Sequence, residues 1–240
     1  MQRKVCLDLF SGLGGFSSAF EESDRWKVVT VDVQERFDPD IQADILNLRP
    51  GDLPDADVIL ASPPCKTFSK AAAWHDHFDA GCDAPKTQEA KEAVALVFHT
   101  VGLIRALGPD YWFLENPEGH MRKLLGRPTA SVTYCQYGAD YMKPTDLWGD
   151  HPPMTYKRCQ NGDDCHVRSR RSQEKGDGEH PADALPRDPA ERAKVPYGLS
   201  KAILEAVEGR SEQTTLIAAT DGGTNRCVEP DTDHTEEADD

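Results

Sequence analysis

A cysteine aimed by two prolines is the most chemically suggestive feature of this chain. It lies in Ala61-Ser62-Pro63-Pro64-Cys65-Lys66-Thr67-Phe68-Ser69. Neither proline has a backbone N–H to donate, and each pushes the residue before it into an extended conformation. The stretch therefore reads as a stiff turn holding Cys65 beyond a strand end, where open α/β sheets keep their ligands. A thiol presented in this way is a nucleophile; the bland alternative is a buried, inert cysteine. Further along, the wholly apolar run Tyr111-Trp112-Phe113-Leu114 delivers Glu115-Asn116-Pro117. A glutamate at such a strand end suits hydrogen bonding to, or protonating, a substrate. A third group is the glycine turn Phe10-Ser11-Gly12-Leu13-Gly14-Gly15. Its glycines let the backbone approach a ligand, and the helix that follows offers free N–H groups. The Gly-x-Gly-Gly spacing is shorter than the dinucleotide fingerprint, so NAD is not expected. Asp32 closes the next apolar segment, 18 residues beyond Gly14, where a carboxylate binds ribose hydroxyls in folds of this kind. Asp44 offers a second polar group nearby.

These groups need elements to hold them. Lys4 to Phe10 reads as a first, central strand, and a short helix runs from Ser17 to Glu22. Lys27 to Asp32 is a second strand, and Asp57-Val58-Ile59-Leu60 is a third, short and buried. The apolar positions 90, 93, 94, 97, 101, 104 and 107 predict a helix from Thr87 to Leu107, ended by Gly108-Pro109. Tyr111 to Leu114 and Val132 to Tyr137 read as strands, and residues 142 to 148 lead into another. Two more helices are expected, one starting near Pro189 and one opened by Pro196 that carries Leu199, Ile203 and Val207. Strands alternating with helices specify an α/β fold with a mainly parallel, Rossmann-like sheet.

Three segments lack a packed pattern. Residues 70 to 86, with Trp74, His75, His77 and Cys82, read as a mobile loop of the kind that closes over a site, its histidines on the surface. From His151 to Arg187 glycine, proline and charge displace apolar periodicity, which marks a loop-rich insertion. There Cys159, Cys165 and His166 raise the question of zinc, but Cys-x5-Cys-His does not fit the paired spacings and no fourth ligand follows, so no metal is expected. After Gly209 the chain is acidic, Gly/Thr-rich and expected to be disordered. The expected division is thus a catalytic unit of residues 1–150 and 188–208, an insertion at 151–187 and a tail at 209–240.

Composition sets limits. A chain of 240 residues with 38% hydrophobic residues can bury one domain's core. The net charge is −15, and the last 32 residues contribute nine acids against two bases. The remainder is still acidic, unusual for a protein that handles a polyanion, and points to a high-salt, halophilic cytoplasm or to acidity kept away from the ligand face. Arg122, Lys123 and Arg127 form a basic cluster that stands out against it. Seven cysteines without a small secreted framework indicate a reducing, cytoplasmic compartment. No apolar run approaches the length of a membrane span.

In order and spacing, Asp8-Leu9-Phe10-Ser11-Gly12-Leu13-Gly14-Gly15, Pro63-Pro64-Cys65 and Glu115-Asn116-Pro117 resemble the cytosine-5 DNA methyltransferase family. The match covers residues 4 to 148, with a weaker echo at Val195 to Ile203. The resemblance implies a Rossmann-like methyltransferase sheet binding S-adenosylmethionine over Phe10, Ser11, Gly12, Gly14, Gly15 and Pro63, with Asp32 on its ribose and Asp44 near its adenine. It implies that the Cys65 thiolate adds to position 6 of a cytosine flipped out of double-stranded DNA, with Glu115 holding the ring and Asn116 positioning that carboxylate. It also implies that the loop from Lys66 to Pro85 closes over the base, and a monomer is expected. Two departures stand out. Where the family usually carries Gln-x-Arg-x-Arg after a Tyr-Gly pair, Tyr137-Gly138 is followed by Lys143 and Thr145 at the two arginine positions; lysine keeps the charge but not the bidentate fork. The insertion is also shorter than the family's target-recognition domain, as in the compact enzymes of viruses and their hosts. Two other readings remain open: a tRNA cytosine-5 methyltransferase, and a non-catalytic DNA-binding relative.

Overall fold

Seven strands form one mixed sheet in the computed structural model, which describes residues 3–70, 76–160, 165–166 and 186–220, with side chains as far as residue 209. The strands are β1 (Lys4–Leu9), β2 (Trp26–Asp32), β3 (Ile41–Gln42), β4 (Val58–Ala61), β5 (Tyr111–Pro117), β6 (Ala130–Thr133) and β7 (Pro144–Trp148). Their spatial order is β3-β2-β1-β4-β5-β7-β6. The first five are parallel, and β7 runs antiparallel between β5 and β6. The order reverses between β1 and β4, so the loops after these two strands diverge and leave a crevice at their carboxyl ends. The glycine turn and Pro63-Pro64-Cys65 are those two loops. The architecture is the expected α/β methyltransferase sheet.

Alternation along the strands explains why both faces are covered. Leu7, Leu9, Ile59, Ala61 and Leu114 face α2 (Gln88–Leu107), meeting its Val97, Val101 and Ile104. Cys6, Trp26, Val58, Leu60 and Phe113 face the other way, against Phe16, Phe20 of α1 (Ser18–Glu21) and Leu199, Ile203 and Val207 of a late helix. Parallel strands buried on both faces read as continuous apolar runs, as these do. The boundaries of α2 follow from its ends. The Thr87 hydroxyl accepts the Ala90 N–H at 3.1 Å, and Gly108 adopts φ 62° to close the last turn.

Among the described residues the remaining α-helices are α3 (Met121–Leu125), α4 (Pro189–Ala193) and α5 (Tyr197–Thr220). The sequence around 195–207 thus returns to the sheet: Ala19 donates its backbone N–H to Ser200 Oγ at 3.1 Å, and Trp26 Nε1 donates to Glu208 Oε1 at 3.0 Å.

Four expectations need correction. α5 runs through Gly209 to Thr220, past the point where the tail was expected to begin, because its backbone continues the helical ladder; residues 221–240 lie outside the described residues. Val132 to Tyr137 is not one strand: pairing with β7 stops at Thr133, and Tyr134–Tyr137 forms a 3-10 turn ended by Gly138 at φ 97°. β5 does not stop at Leu114 but continues through Pro117, since β7 supplies antiparallel partners to Glu115, Asn116 and Pro117 after β4 has ended. Part of the 70–86 loop is packed, including a histidine expected on the surface. Phe78 stacks on His120 at 3.7 Å, Phe78 and Pro85 form a bridge, and His77 is buried with Nδ1 3.0 Å from Thr87 Oγ1. Trp74 and His75 lie outside the described residues, as does most of the 151–187 insertion.

Candidate active site

The two chemical loops meet because β5 outlasts β4. Ala61 pairs with Leu114, the last contact between the strands. Beyond it β4 turns away at Pro63-Pro64, whereas β5 carries on for three more residues. Asn116 Nδ2 bridges the gap by donating to the Pro63 carbonyl at 2.9 Å, and the asparagine is fully buried. Past the prolines, the Cys65 carbonyl accepts the N–H groups of Phe68 and Ser69 at 3.1 and 3.0 Å, which folds the chain into a tight turn. Cys65 is half-buried at its start.

Alternation sends Glu115 to the opposite face from Asn116, against the short turn after β6. Glu115 is 3% exposed. Tyr134 donates its hydroxyl to Glu115 Oε1 at 2.7 Å, and Lys143 Nζ lies 3.7 Å from the same oxygen. Lys143 is itself buried, 4.4 Å over the Tyr134 ring, and donates to the Arg192 carbonyl at 3.2 Å. Burial pushes the Cys65 thiol above its ordinary pKa; Lys143 and Arg192 pull it down and Glu115 pushes it up. Direct contacts thus join Pro63 to Asn116 and Glu115 to Lys143, with Cys65 two residues beyond Pro63. Thr145, at the second arginine position, is fully buried with its hydroxyl 3.3 Å from the Lys143 carbonyl, so it offers no charge to a ligand.

Two residues of this group were not singled out from sequence. Tyr134 sits in an apolar stretch that reads as core, and only its hydroxyl distinguishes it from a packing residue. The Arg192 carbonyl is a backbone group contributed from α4, with no signal at residue level.

The glycine turn has the conformation a ligand cradle needs. Phe10, Gly12 and Gly14 all have positive φ, 62°, 51° and 68°. A bulky residue in the left-handed region costs energy and tends to sit at a ligand clamp. Side chains built at positions 12 and 14 would meet nothing nearer than 3.9 Å, so those two glycines serve conformation and leave the surface open. Gly15 differs: a Cβ there would lie 2.5 Å from the Val195 carbonyl, which makes it a packing position rather than a ligand contact. Ser11 donates its N–H to the Val31 carbonyl at 3.1 Å.

Asp32 stands at the end of β2, 7% exposed, accepting the N–H of Gly12 at 2.9 Å on one oxygen and of Gln34 at 2.8 Å on the other. It thus shapes the turn. Asp44 is exposed and accepts the Leu46 N–H at 3.0 Å, capping a short turn after β3. Three exposed apolar residues, Leu13, Val33 and Leu46, occupy the successive loops after β1, β2 and β3. This apolar trio at the carboxyl edge was not anticipated, because single exposed apolar residues carry no signal in sequence. A groove of about 710 Å³ borders the glycine turn on its other side, along the bare edge of β2, but excludes Asp32, Asp44, Pro63 and Cys65.

Two of the three residues of the basic cluster are paired with acids. Arg122 forks onto buried Asp146 at 2.6 and 2.7 Å and reaches Glu118 at 2.7 Å, while Lys123 pairs with Asp83 at 3.3 Å. The cluster anchors α3 to β7, because a fully buried carboxylate needs a charged partner. The cysteine expectation also changes: Cys159, Cys165 and His166 do have a fourth companion, Cys135 from the turn after β6.

An open α/β sheet with a glycine cradle at one side of its switch point, and a thiol and a carboxylate at the other, defines an α/β methyltransferase. Residues 5–132 match the family model described as C-5 cytosine-specific DNA methylase. The chain belongs to that family, whose reaction is DNA cytosine-5 methylation. It is 31% identical over 173 residues to a probable DNA (cytosine-5)-methyltransferase of Frog virus 3, covering 66% of this chain and 76% of the viral protein. It is 30% identical over 141 residues to the type II methyltransferase M.NlaIV of Neisseria lactamica, covering 51% of this chain but 30% of that one. The chain thus spans three quarters of the viral relative and under a third of the bacterial one. Among solved structures, the Entamoeba histolytica methyltransferase EhMeth superposes with a TM-score of 0.45 at 12% identity, over 67% of this chain and 58% of its own. No helix among the described residues is long and apolar enough to cross a membrane.

Proposed function

We propose that this chain, acting as a monomer, methylates position 5 of cytosine in double-stranded DNA with S-adenosylmethionine as donor. The observation that carries the proposal is the joining of the Cys65 loop to the Glu115 strand by the Asn116–Pro63 hydrogen bond. The donor's fit rests on the left-handed backbone at Phe10, Gly12 and Gly14, the carboxylate of Asp32 behind the turn and the apolar trio beside it. In that arrangement Ser11, Gly12 and Gly14 hold the amino-acid end, Asp32 the ribose, and Asp44, Val33 and Leu46 the adenine. When bound, S-adenosylmethionine supplies an electrophilic methyl group to the carbon that attacks it.

The chain's own residues make that carbon nucleophilic. The Cys65 thiolate forms a bond to C6 of an extruded cytosine, and the C5–C6 π electrons move to C5. Tyr134 and Lys143 converge on Glu115 Oε1, so Oε2 is the oxygen that reaches the ring's N3 and exocyclic amine. There Glu115 passes a proton to N3 as sulfur adds, which neutralises the charge the ring gains, and takes it back when the thiolate leaves. Once C5 carries its methyl, a base removes the C5 proton, the electrons re-form the C5–C6 bond, and the C6–S bond breaks to return the thiolate. Base flipping is part of this reading, because a base stacked in the duplex does not present C6 to a thiol. Residues 1–150 and 188–208 form the catalytic unit in this proposal, and 151–187 read the target sequence. The compartment is the cytoplasm.

The test is transfer of labelled methyl groups to duplex DNA and to tRNA, with bisulfite sequencing of DNA from expressing cells. Label on DNA, together with a denaturation-resistant complex on DNA carrying 5-fluorocytosine, is expected, because fluorine cannot leave C5 as a proton does. Cys65→Ser should abolish both and retain DNA binding. Transfer to tRNA alone, or an undiminished covalent complex in Cys65→Ser, would overturn the proposal.

A further inference from the structure

Away from the thiol and carboxylate, four soft ligand atoms converge from three places in the chain. They belong to Cys135, in the turn after β6, to Cys159, and to Cys165 with His166. All four ligand atoms lie within 4.8 Å of one another. Cys165 Sγ is 3.5 Å from Cys135 Sγ, 3.4 Å from Cys159 Sγ and 3.3 Å from His166 Nδ1, and Cys159 Sγ is 3.8 Å from the same nitrogen. A tetrahedral ion with sulfur at about 2.3 Å and imidazole nitrogen at about 2.0–2.1 Å sets ligand-to-ligand edges of about 3.5–3.8 Å. Four of the six edges, at 3.3–3.8 Å, match that polyhedron, and every edge is within 4.8 Å. It does not match a disulfide, which needs sulfurs about 2.05 Å apart, and all three cysteines are free thiols.

We propose that Cys135, Cys159, Cys165 and His166 bind a zinc ion. Three thiolates and an imidazole select a soft or borderline cation over magnesium or calcium. Four protein ligands fill the tetrahedron, leaving no position for water or substrate, so the ion is structural. Its place in the fold says what it holds. The Thr133 N–H donates to the Lys157 carbonyl at 3.2 Å, the Lys157 N–H to the Tyr137 hydroxyl at 2.9 Å, and the Cys159 N–H to Thr133 Oγ1 at 3.1 Å. The ion sits at the end of this seam and staples the start of the 151–187 insertion to the catalytic sheet. The ligand Cys135 follows Tyr134, the residue that holds Glu115. A loaded site therefore also steadies the carboxylate, a consequence that rests on the function proposed above, whereas metal binding itself does not.

The experiment is metal analysis of the full chain purified under reducing conditions from zinc-replete medium, followed by cobalt substitution. About one zinc per chain is expected, as is an intense tetrahedral cobalt spectrum with thiolate-to-metal charge transfer. Cys159→Ser and Cys165→Ser should lose the ion, while Cys82→Ser, outside the cluster, should keep it. A strong chelator should lower the thermal midpoint by about 5 °C or more, and zinc should restore it. Substoichiometric zinc with no cobalt charge-transfer band, iron in place of zinc, or metal retained in both serine variants would overturn the proposal. The wild-type cobalt spectrum decides the matter even where a variant fails to fold. None of these readouts depends on methyl transfer.

Discussion

Lys143 Nζ and the Tyr134 hydroxyl both address Glu115 Oε1, at 3.7 and 2.7 Å. The lysine also lowers the pKa of Cys65, against the raising effects of burial and of Glu115. One buried cation thus serves the carboxylate and the thiol together. A lysine does this where an arginine's fork is absent, because both tasks need a charge and neither needs a bidentate contact.

Replacing that cation should therefore change the pH dependence of the reaction as well as its rate. Lys143→Met should move the rise of kcat/KM to higher pH and lower activity at pH 7 by about tenfold or more. Lys143→Arg should recover much of the loss. Thermal melts of both variants separate this effect from unfolding, and an unshifted pH profile in a folded Lys143→Met protein would count against the role.

Asn116 acts through the loop it holds. Asn116→Ala removes the bond to the Pro63 carbonyl and should cost about 1–2 kcal/mol of stability. It should lower kcat by roughly 10–100-fold through misplacement of Cys65, with cofactor affinity nearly unchanged. Calorimetric titration with the cofactor alongside steady-state kinetics would check the split.

Asp32 should show the opposite pattern. Its two oxygens accept N–H groups from Gly12 and Gln34, so Asp32→Ala loosens the cradle and removes the ribose contact together. Cofactor binding should weaken by about 10–100-fold, or about 1.4–2.8 kcal/mol. Measured by calorimetry, an unchanged dissociation constant would exclude this edge as the cofactor site.

Asp8 makes a prediction about stability. It lies in the apolar layer under α1, accepts the Ser17 hydroxyl at 2.6 Å on one oxygen and has no partner on the other. Burial raises its pKa from 3.8 to about 7. The folded protein therefore binds a proton that the unfolded chain has released, so stability declines as pH rises from near 4 to near 7. The full effect of such a shift is up to about 4 kcal/mol. Asp8→Asn should flatten this decline, and urea unfolding at pH 5 and pH 8 should show it stabilised relative to wild type at the higher pH by at least about 1 kcal/mol.

Much of the active edge could be read from residue types in local context. Two prolines before Cys65, the glycines of the first turn and the carboxylates closing apolar runs each carry a backbone constraint that is local, and local constraints survive in sequence. The capped ends of α2 were legible for the same reason. What went unread depended on distant partners. Arg122 looked like a basic patch until Asp146, on another strand, was seen to neutralise it. Tyr134 looked like core until its hydroxyl met Glu115. The stacking of Phe78 on His120, which holds part of the 70–86 loop, has no local signature either.

The sequence by itself determined the α/β alternation, the cradle and the order of the thiol and carboxylate along the chain, because backbone stereochemistry and burial period act over a few residues. Tertiary structure alone decided which charges remain free, which oxygen of Glu115 is held, and that Cys135 joins Cys159, Cys165 and His166. Those outcomes turn on side chains meeting across strands of different connectivity. Their encounter is set by sheet order and strand length, not by spacing along the chain.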